Sequence, residues 1–469
     1  MSFGKAGTFG KPSTLGGITI PEWGTGIFLT EGTDNQVVYC TCATKPSIAK
    51  FQNGQWSLIG IASEALAYSL ANPMPPGAVI PTSIYAYQSG MEISYTGIND
   101  GSAWFAPTGA ARASAWEIRN PSTRTANKVT LIYPNSVNGI ASSVRANVAT
   151  GGGGNDGGTY SAIQTTAIPA GVGGLALTAS LGYATFDLPA PVAPGGRALV
   201  RVEFAAGLPM TGSSSAGSNA DPISYYSNPN LAQPNQALDG TWDPYFPGIG
   251  MSFCGVQWHL TGNPIVRILH SGDSVGVGVS PLADPTPAIR TSWIWGINDA
   301  ESAFDHRFCI SSIGNGGLSF EQYMSRVEHL VDTQPALVQS LWDGWLAQMS
   351  TWNQVPQSTG DLELMQGIYT RISGKLAALG IWSIPMMLTP PGSGKQTAGM
   401  LTQYQAMRSW VIAQGGIDMT DLIADTVTPT ELDPARSYDG VHIDSDAGPA
   451  FGQAAHPRYV SALIAKGVI

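Results

Sequence analysis

Apolar residues between positions 78 and 250 occur in short runs that are separated by clusters of glycine, proline, asparagine and serine. The runs at 84–87, 128–133 and 198–204 are rich in β-branched and aromatic residues. Short runs of this kind between turn-forming residues are typical of strands in an antiparallel sandwich. We therefore predict a β-sandwich-like accessory domain over residues 78–250.

After Met251 the spacing of apolar residues changes. Mainly apolar runs at 265–269, 308–313, 336–341 and 381–388 predict strands. The segments between them have apolar residues every three or four positions, as helices do. Strands that alternate with helices are typical of βαβ units and a parallel sheet. We therefore predict an α/β domain with a parallel sheet over residues 251–469.

Two of the predicted helices have clear apolar faces. The helix over 361–379 has one face formed by Leu364, Ile368, Ile372, Leu376 and Leu379. Gly380 follows it, as the glycine that commonly ends a helix. The last helix, over 450–466, has an apolar side formed by Val460, Leu463 and Ile464. We expect both helices to pack against the parallel sheet.

Residues 1–77 form a third region, which is rich in glycine and has little apolar periodicity. A strand-like stretch at 36–40 is its clearest element, and a breaker cluster at 72–77 separates it from the sandwich. Attachment to a partner protein is one role for this region. Its first residues have no apolar core behind their lysines, so neither a secretory signal nor a membrane span is predicted.

The composition narrows the class of partner. Charged residues make up 12% of the chain and the net charge is −10, so there is no basic stripe that could bind a phosphate backbone. We predict neither a nucleic-acid partner nor a membrane partner. The four cysteines are too few for a disulfide framework and lack the spacing of a zinc site. Free thiols, no metal and no cofactor are therefore expected.

Residues that could carry chemistry follow the strand predicted at 265–269. Ser274 lies just past its carboxyl end, which is where open parallel sheets hold their sites. A serine hydroxyl is a weak nucleophile until an imidazole accepts its proton, and the imidazole needs a carboxylate to orient it. Asp439 and His442 lie three residues apart in a loop before the last helix and can supply both groups.

The residues around these positions resemble two sequence blocks of GDSL/SGNH hydrolases. The Gly-Asp-Ser triplet at 272–274, with a glycine at 278, matches their GDSxxxG block, and Asp439-x-x-His442 matches their DxxH block. The resemblance implies a three-layer α/β/α fold and a serine esterase activity without a cofactor. It assigns Ser274 as nucleophile, His442 as general base and then general acid, and Asp439 as the group that orients the imidazole.

The same resemblance implies two further blocks, whose donors stabilise the negative oxygen of the transition state beside the amide of the serine itself. In the glycine block Gly317 is the expected donor and Gly316 the next choice. The third block, Gly-x-Asn-Asp after a strand, corresponds to 340–343, so Trp342 stands at the asparagine position. Trp342 either donates its indole N–H to the oxyanion or walls the pocket. The Gly-x-Asn-Asp sequence at 296–299 lies in a predicted helix and is treated as a coincidence.

Two functions from different classes fit these observations. The first is a serine ester hydrolase that deacetylates an O-acetylated polysaccharide presented by the sandwich. The second is a structural or receptor-binding protein of a virus particle, such as a phage tail fibre or tailspike, whose hydrolase-like domain binds host glycan with little or no turnover. The two combine in a virion-borne esterase, which we favour over a cytoplasmic one. Contacts with other virion proteins through residues 1–77, and self-association, are left open.

Overall fold

The computed structural model describes most of the chain from residue 112 onwards and eight short strands before it. After residue 112, the positions outside the description are 121, 136–141, 153–157, 171–179, 205–209, 212–222, 227–254, 263–264, 278–291, 305, 314–317, 351–352, 391, 393–395, 438 and 445–446. The strand predicted at 84–87, the glycine at 278 of the GDSxxxG block and the predicted oxyanion donors Gly316 and Gly317 lie outside the described residues.

The strands before residue 112 pair in antiparallel fashion. They are β1 Ser13–Leu15, β2 Ile18–Ile20, β3 Val37–Cys40, β4 Ser47–Gln52, β5 Gln55–Ile61, β6 Glu92–Ile93, β7 Tyr95–Gly97 and β8 Trp104–Phe105. β1 and β2 form a two-stranded ribbon, whereas β3, β4 and β5 form a three-stranded sheet. The strand predicted at 36–40 is confirmed as β3.

Two larger antiparallel sheets follow. They contain β9 Arg112–Arg119, β10 Ala126–Pro134, β11 Ser142–Gly151, β12 Gly158–Tyr160, β13 Gln164–Ile168, β14 Leu181–Val192, β15 Arg197–Phe204, β17 Ile223–Tyr226 and β18 Gly255–Leu260, whereas β16 Met210–Thr211 pairs with β8 in a separate two-stranded sheet. One sheet has the order β14-β10-β18-β7-β6 and the other the order β12-β11-β15-β9-β17. Val129 and Phe186 of the first share a buried cluster with Val148 and Val200 of the second. The predicted β-sandwich is thereby confirmed.

The last strand of the sandwich lies beyond the predicted boundary at residue 251. β18 pairs antiparallel with β10, with Trp258 opposite Val129, and both side chains are buried in the sandwich core. The assignment of this strand to the C-terminal region is therefore wrong. The apolar pattern of a strand predicts that it is buried but does not identify the strand with which it pairs. Antiparallel pairing gives way to parallel pairing between Leu260 and Val266.

The C-terminal region contains five parallel strands and seven helices among its described residues. The strands are β19 Val266–Ser271, β20 Phe308–Ser312, β21 Gly344–Gln348, β22 Trp382–Met387 and β23 Ile417–Asp418. The helices are α1 Ser274–Val277, α2 Trp293–Ser302, α3 Phe320–Thr333, α4 Pro335–Leu341, α5 Thr359–Ala378, α6 Ala398–Ala413 and α7 Ala447–Ala465, with 3-10 turns at Thr420–Leu422 and Pro434–Arg436. The strand order is β20-β19-β21-β22-β23, and every pair is parallel.

Helices cover both faces of this parallel sheet. On one face α3, α4, α5 and α6 bury a cluster that includes Leu269 and Trp345. On the other face α2 and α7 bury a second cluster that includes Ile268 and Leu346. The clusters separate because successive side chains of a strand point to opposite faces. The predicted three-layer α/β/α arrangement is confirmed.

The two helices with predicted apolar faces are present. In α5, Ile368, Ile372 and Leu376 are buried, as predicted. In α7 the buried side is formed by Phe451, Ala455, Tyr459 and Leu463. Ile464 is 56% exposed, so its placement on the apolar side was wrong. None of the helices in the described part of the chain has the length and hydropathy needed to cross a membrane.

The segment at 336–341 is helix α4 rather than the predicted strand. Pro335 occupies its first turn, where a proline fits because the N–H it lacks would have no partner. Leu337, Val338 and Leu341 lie on one buried side. An apolar run this short fits a helix turn and a strand equally well. The sequence analysis missed β21, the strand that follows α4, and the short strand β23. Glycine is needed at position 344 of β21, because a Cβ there would overlap the Trp382 ring of β22.

The sandwich and the three-layer region are joined through a shared core. Ile132 and Leu181 of the sandwich belong to the buried cluster beneath α3 and α4. The side chain of Gln334, between these helices, donates from Nε2 to Leu181 O at 2.7 Å and accepts from Leu181 N at 2.8 Å. Ser180 Oγ also lies 3.2 Å from His329 Nε2 on α3. The two regions are thus packed together and hydrogen-bonded across the junction.

Candidate active site

Ser274 is the first residue of α1, at the carboxyl end of β19. The buried Asp273 carboxylate holds this turn, because its Oδ1 accepts from the amides of Val275 at 3.1 Å and Gly276 at 3.4 Å. Gln348, at the end of the neighbouring strand β21, donates from Nε2 to the same oxygen at 2.9 Å. β21 therefore holds the turn that presents the serine hydroxyl.

Glycine is required at two positions in this turn. A Cβ on Gly272 or on Gly276 would overlap Oε1 of Gln348 and would lie 2.8 or 2.7 Å from Cε1 of His270. Real Cβ atoms do not approach other atoms so closely, so the buried Gln348 and His270 side chains can lie directly beneath the turn only because both residues are glycine. Steric overlap with Gln348 and His270 thus explains why the first residue of the Gly-Asp-Ser triplet, Gly272, is glycine.

Asp439 and His442 lie in a tight loop that is closed by a bridge between Ser437 and Ile443. Gly440 turns the loop at φ 77°, a left-handed conformation that suits glycine. Asp439 Oδ1 accepts from the amides of Val441 and His442, both at 2.8 Å. Although partial burial opposes this, hydrogen bonds from His442 and Val441 lower the pKa of Asp439 below its ordinary value. The carboxylate is therefore charged at neutral pH.

The three predicted catalytic residues are brought together in a hydrogen-bonded row. Asp439 Oδ2 lies 2.7 Å from His442 Nδ1, and His442 Nε2 lies 2.8 Å from Ser274 Oγ. A charged carboxylate can only accept, so Nδ1 carries the proton and Nε2 is left with a lone pair for the serine O–H. The imidazole is thus in the tautomer that can remove the proton of Ser274.

The chain is similar to several solved structures, and the identities of those named below are low. No protein-family model and no curated protein matches the chain. Solved structures similar to it include a psychrotrophic esterase from Pseudoalteromonas sp., at 14% identity over 42% of this chain and 95% of that chain, with a TM-score of 0.30. A family two carbohydrate esterase from Cellvibrio japonicus is 12% identical over 81% of this chain and 97% of that chain, with a TM-score of 0.31. A GDSL-like lipase from Bacteroides thetaiotaomicron is 12% identical over 41% and 88%, with a TM-score of 0.28.

Trp342, the predicted oxyanion donor or pocket wall, lies in the buried core and not beside the Ser274 hydroxyl. It caps the end of α4, before β21, and its side chain is buried in the core beneath α3 and α4. Its indole Nε1 donates to Ser311 Oγ at 3.0 Å, so the N–H is already used. Neither predicted role fits this position. The error follows from reading α4 as a strand, which placed the third block about one strand too early.

Replacing Trp342 by phenylalanine is therefore expected to leave catalysis unchanged. The variant should lose the hydrogen bond to Ser311 and some packing, which lowers the free energy of unfolding by about 1 to 3 kcal/mol. Turnover of an aryl acetate should stay within about twofold of wild type. Steady-state kinetics and urea unfolding of the purified variant check both values, and a loss of turnover near a hundredfold would restore Trp342 to the oxyanion site.

The loop that follows β21, which is where the third block would belong, is hydrogen-bonded to the start of α3. Asn353 Nδ2 donates to Leu318 O at 2.9 Å. Gln354 and Glu321 form a reciprocal pair, in which Gln354 Nε2 donates to the Glu321 carboxylate at 2.8 Å and Gln354 Oε1 accepts from the Glu321 amide at 3.1 Å. These contacts fix one loop beside the other at the carboxyl end of the sheet. The sequence analysis missed these residues because it placed the third block at the wrong strand.

His270 is a second imidazole close to the nucleophile, and the sequence analysis gave it no role. It is the next-to-last residue of β19 and is fully buried, and its Nδ1 lies 3.0 Å from Ser312 Oγ. Burial lowers its pKa to about 3, so it stays neutral beneath the turn. Among the described residues no group of three or more His, Cys, Asp or Glu side chains could hold a metal ion, and the Cys309 side chain is buried.

The low pKa of His270 predicts a loss of stability in acid. Between pH 6.5 and 3 this imidazole is protonated in the unfolded chain and neutral in the folded chain. The free energy of unfolding should therefore fall as the pH falls through this window, by up to about 1.4 kcal/mol per pH unit from this group. His270→Gln is expected to reduce the slope by about one proton between pH 6 and 4, as measured by urea unfolding. Equal slopes would show that His270 does not contribute.

Proposed function

We propose that this protein is a serine ester hydrolase. The observation that carries the proposal is the row of hydrogen bonds from Asp439 through His442 to Ser274, at the carboxyl ends of a parallel sheet. Three groups with these chemical roles lie in the order and at the distances that nucleophilic acyl transfer requires. No other arrangement of side chains in the described part of the chain supports a competing reaction as directly.

In this proposal Ser274 Oγ attacks the ester carbonyl carbon while its proton moves to His442 Nε2. The Asp439 carboxylate stabilises the imidazolium that forms. The imidazolium then gives its proton to the alkoxide that leaves, and an acyl group remains on Ser274. A water molecule releases the acyl group in a second step, with His442 again as the base. The amide of Ser274, at the first position of α1, is a donor for the negative oxygen of both tetrahedral states.

We propose an O-acetylated polysaccharide as the substrate class. A sandwich fixed to an esterase region is similar to the layout of some carbohydrate esterases, and the shared core through Leu181 and Gln334 supports a sandwich that holds a polymer at a constant distance from Ser274. In this proposal residues 1–77 attach the chain to a partner, such as a virus particle. The second candidate is a glycan-binding particle protein with little or no turnover.

The test is a turnover assay with purified full-length protein. We expect release of the phenol from an aryl acetate and release of acetate from a panel of acetylated glycans, and we expect an organophosphonate to label Ser274 covalently. Absence of turnover on every ester, absence of labelling, and glycan binding that survives Ser274→Ala would together reject the esterase and favour the binding protein.

A further inference from the structure

Trp293 contacts the nucleophile turn, the His270 ring beneath it and Tyr459 of the last helix, although it lies outside the row formed by Ser274, His442 and Asp439. It begins α2 and is fully buried. Its indole Nε1 donates to Gly276 O in the nucleophile helix at 2.8 Å. Its ring meets His270 edge to face at 5.2 Å and stacks on Tyr459 of α7 at 5.9 Å. It therefore bridges the nucleophile turn and the last helix.

On the nucleophile side, the hydrogen bond to Gly276 completes a short helix. α1 has only four residues, so its last carbonyl groups have no partner within the helix. The Asp273 carboxylate holds the first turn through the Val275 and Gly276 amides, and Trp293 holds the far end through the Gly276 carbonyl. Both contacts act on the two residues that directly follow Ser274. A change at either contact is expected to move the serine hydroxyl.

On the histidine side, Trp293 is linked to the segment that follows His442. The amides of Ala447 and Gly448, at the start of α7, both donate to Asp444 O at 3.0 Å, so the helix starts directly after the catalytic loop. α7 then crosses α2 at Gly452 and Gly296. A Cβ on Gly452 would overlap the backbone of Trp293, and a Cβ on Gly296 would overlap the backbone of Pro449. The two helices thus meet backbone to backbone, with no compressible side chain between them.

We propose that Trp293 is a positioning residue that sets the distance between Ser274 Oγ and His442 Nε2. The proposal rests on the esterase function proposed above. The indole N–H of Trp293 is hydrogen-bonded to the nucleophile helix α1, and its ring and backbone pack against α7. The positions of Ser274 and of the segment that follows His442 therefore both depend on Trp293. It touches neither the substrate nor the reacting atoms and acts through Ser274 and His442.

Trp293→Phe tests the proposal, because phenylalanine retains an aromatic ring against Tyr459 and deletes the donor to Gly276. We expect kcat for an aryl acetate to fall between about tenfold and a hundredfold, since a displacement near 1 Å costs about a hundredfold. KM should change less than twofold. The matched control is Trp342→Phe, which removes an equally buried indole and one hydrogen bond to Ser311 but should leave kcat within twofold. Both variants should show a similar fall in the midpoint of urea unfolding.

A double-mutant cycle separates positioning from general damage. In a His442→Ala background there is no imidazole to align, so Trp293→Phe should cause no further loss. An unchanged kcat in Trp293→Phe, an equal loss in the His442→Ala background, or an equal loss in Trp342→Phe would each overturn the proposal. If Trp293→Phe does not fold, Tyr459→Leu weakens the same link from α7 and should give a smaller fall in kcat with the same pattern in the cycle.

Failure of the esterase function gives a different result from failure of the positioning role. A wild type without turnover rejects the function, whatever the variants do. The positioning role then remains testable by a crystal structure of Trp293→Phe. We expect Ser274 Oγ and His442 Nε2 to lie beyond hydrogen-bonding distance in that structure, and an unchanged 2.8 Å separation would reject the role of Trp293 on its own.

Discussion

Ser274→Ala is expected to lower kcat for an aryl acetate by about 10⁶-fold, the size of loss found when a catalytic serine is removed. The substitution deletes the attacking oxygen and leaves His442 without its 2.8 Å partner. Because only a hydroxyl and one hydrogen bond are lost, the free energy of unfolding should change by about 1 kcal/mol. Initial rates and urea unfolding measure the two effects separately.

Ser383→Ala is the matched control for this variant. Ser383 lies in β22 and is 8% exposed, as is Ser274, but its hydroxyl has no hydrogen-bond partner among the described residues and no part in the site. Its removal should leave turnover within about twofold and should not weaken folding. Turnover by Ser274→Ala at the wild-type rate, with Ser383→Ala equally active, would remove Ser274 from the chemistry.

His442→Ala is expected to cost about as much as Ser274→Ala, and the double variant should be little worse than either single one. The reason is that base and nucleophile act as one unit, so the second deletion has nothing further to remove. Single and double variants assayed on the same aryl acetate give the comparison directly. Losses that multiply would mean that His442 acts in a step independent of Ser274.

Asp439→Asn extends the same comparison to the third member. The amide can donate as well as accept, so it can present its NH₂ to Nδ1 and favour the tautomer whose proton is on Nε2, the nitrogen that must accept from Ser274. A loss of about 10⁴-fold is expected, as in the serine-protease template. It should be smaller than the loss in His442→Ala, because the imidazole itself is still present. An unaffected Asp439→Asn variant would show that the carboxylate does not orient His442.

Sequence reasoning could select Ser274, Asp439 and His442 as candidates because each lies in a short block whose spacing is fixed by local geometry. The loop from Ser437 to Ile443 turns at Gly440 and is held by hydrogen bonds between its own residues. Its conformation can therefore be predicted from these few residues. The joining of this loop to Ser274, 168 positions away, follows from the order of elements in an α/β fold.

Other parts of the site depend on contacts between residues far apart in the sequence, which local sequence patterns do not predict. Gln348 matters because β21 lies next to β19, and Trp293 matters because α2 crosses α7. The short run at 336–341 was ambiguous between helix and strand, and the wrong choice moved the third block away from the strand that precedes it. Tertiary pairing, which decides both cases, is a property of the whole chain.

The junction at Leu181 and Gln334 determines whether the C-terminal region can be separated from the sandwich. A piece that starts at Met251 would retain Ser274, Asp439 and His442, and would also retain β18 without β10, the strand with which it pairs. The apolar surface that Leu181 covers would then face water, and Gln334 would lose both of its backbone partners. The sandwich is therefore not an interchangeable module. Its exchange during evolution would require matched changes on α3 and α4, so the two regions are expected to be inherited together.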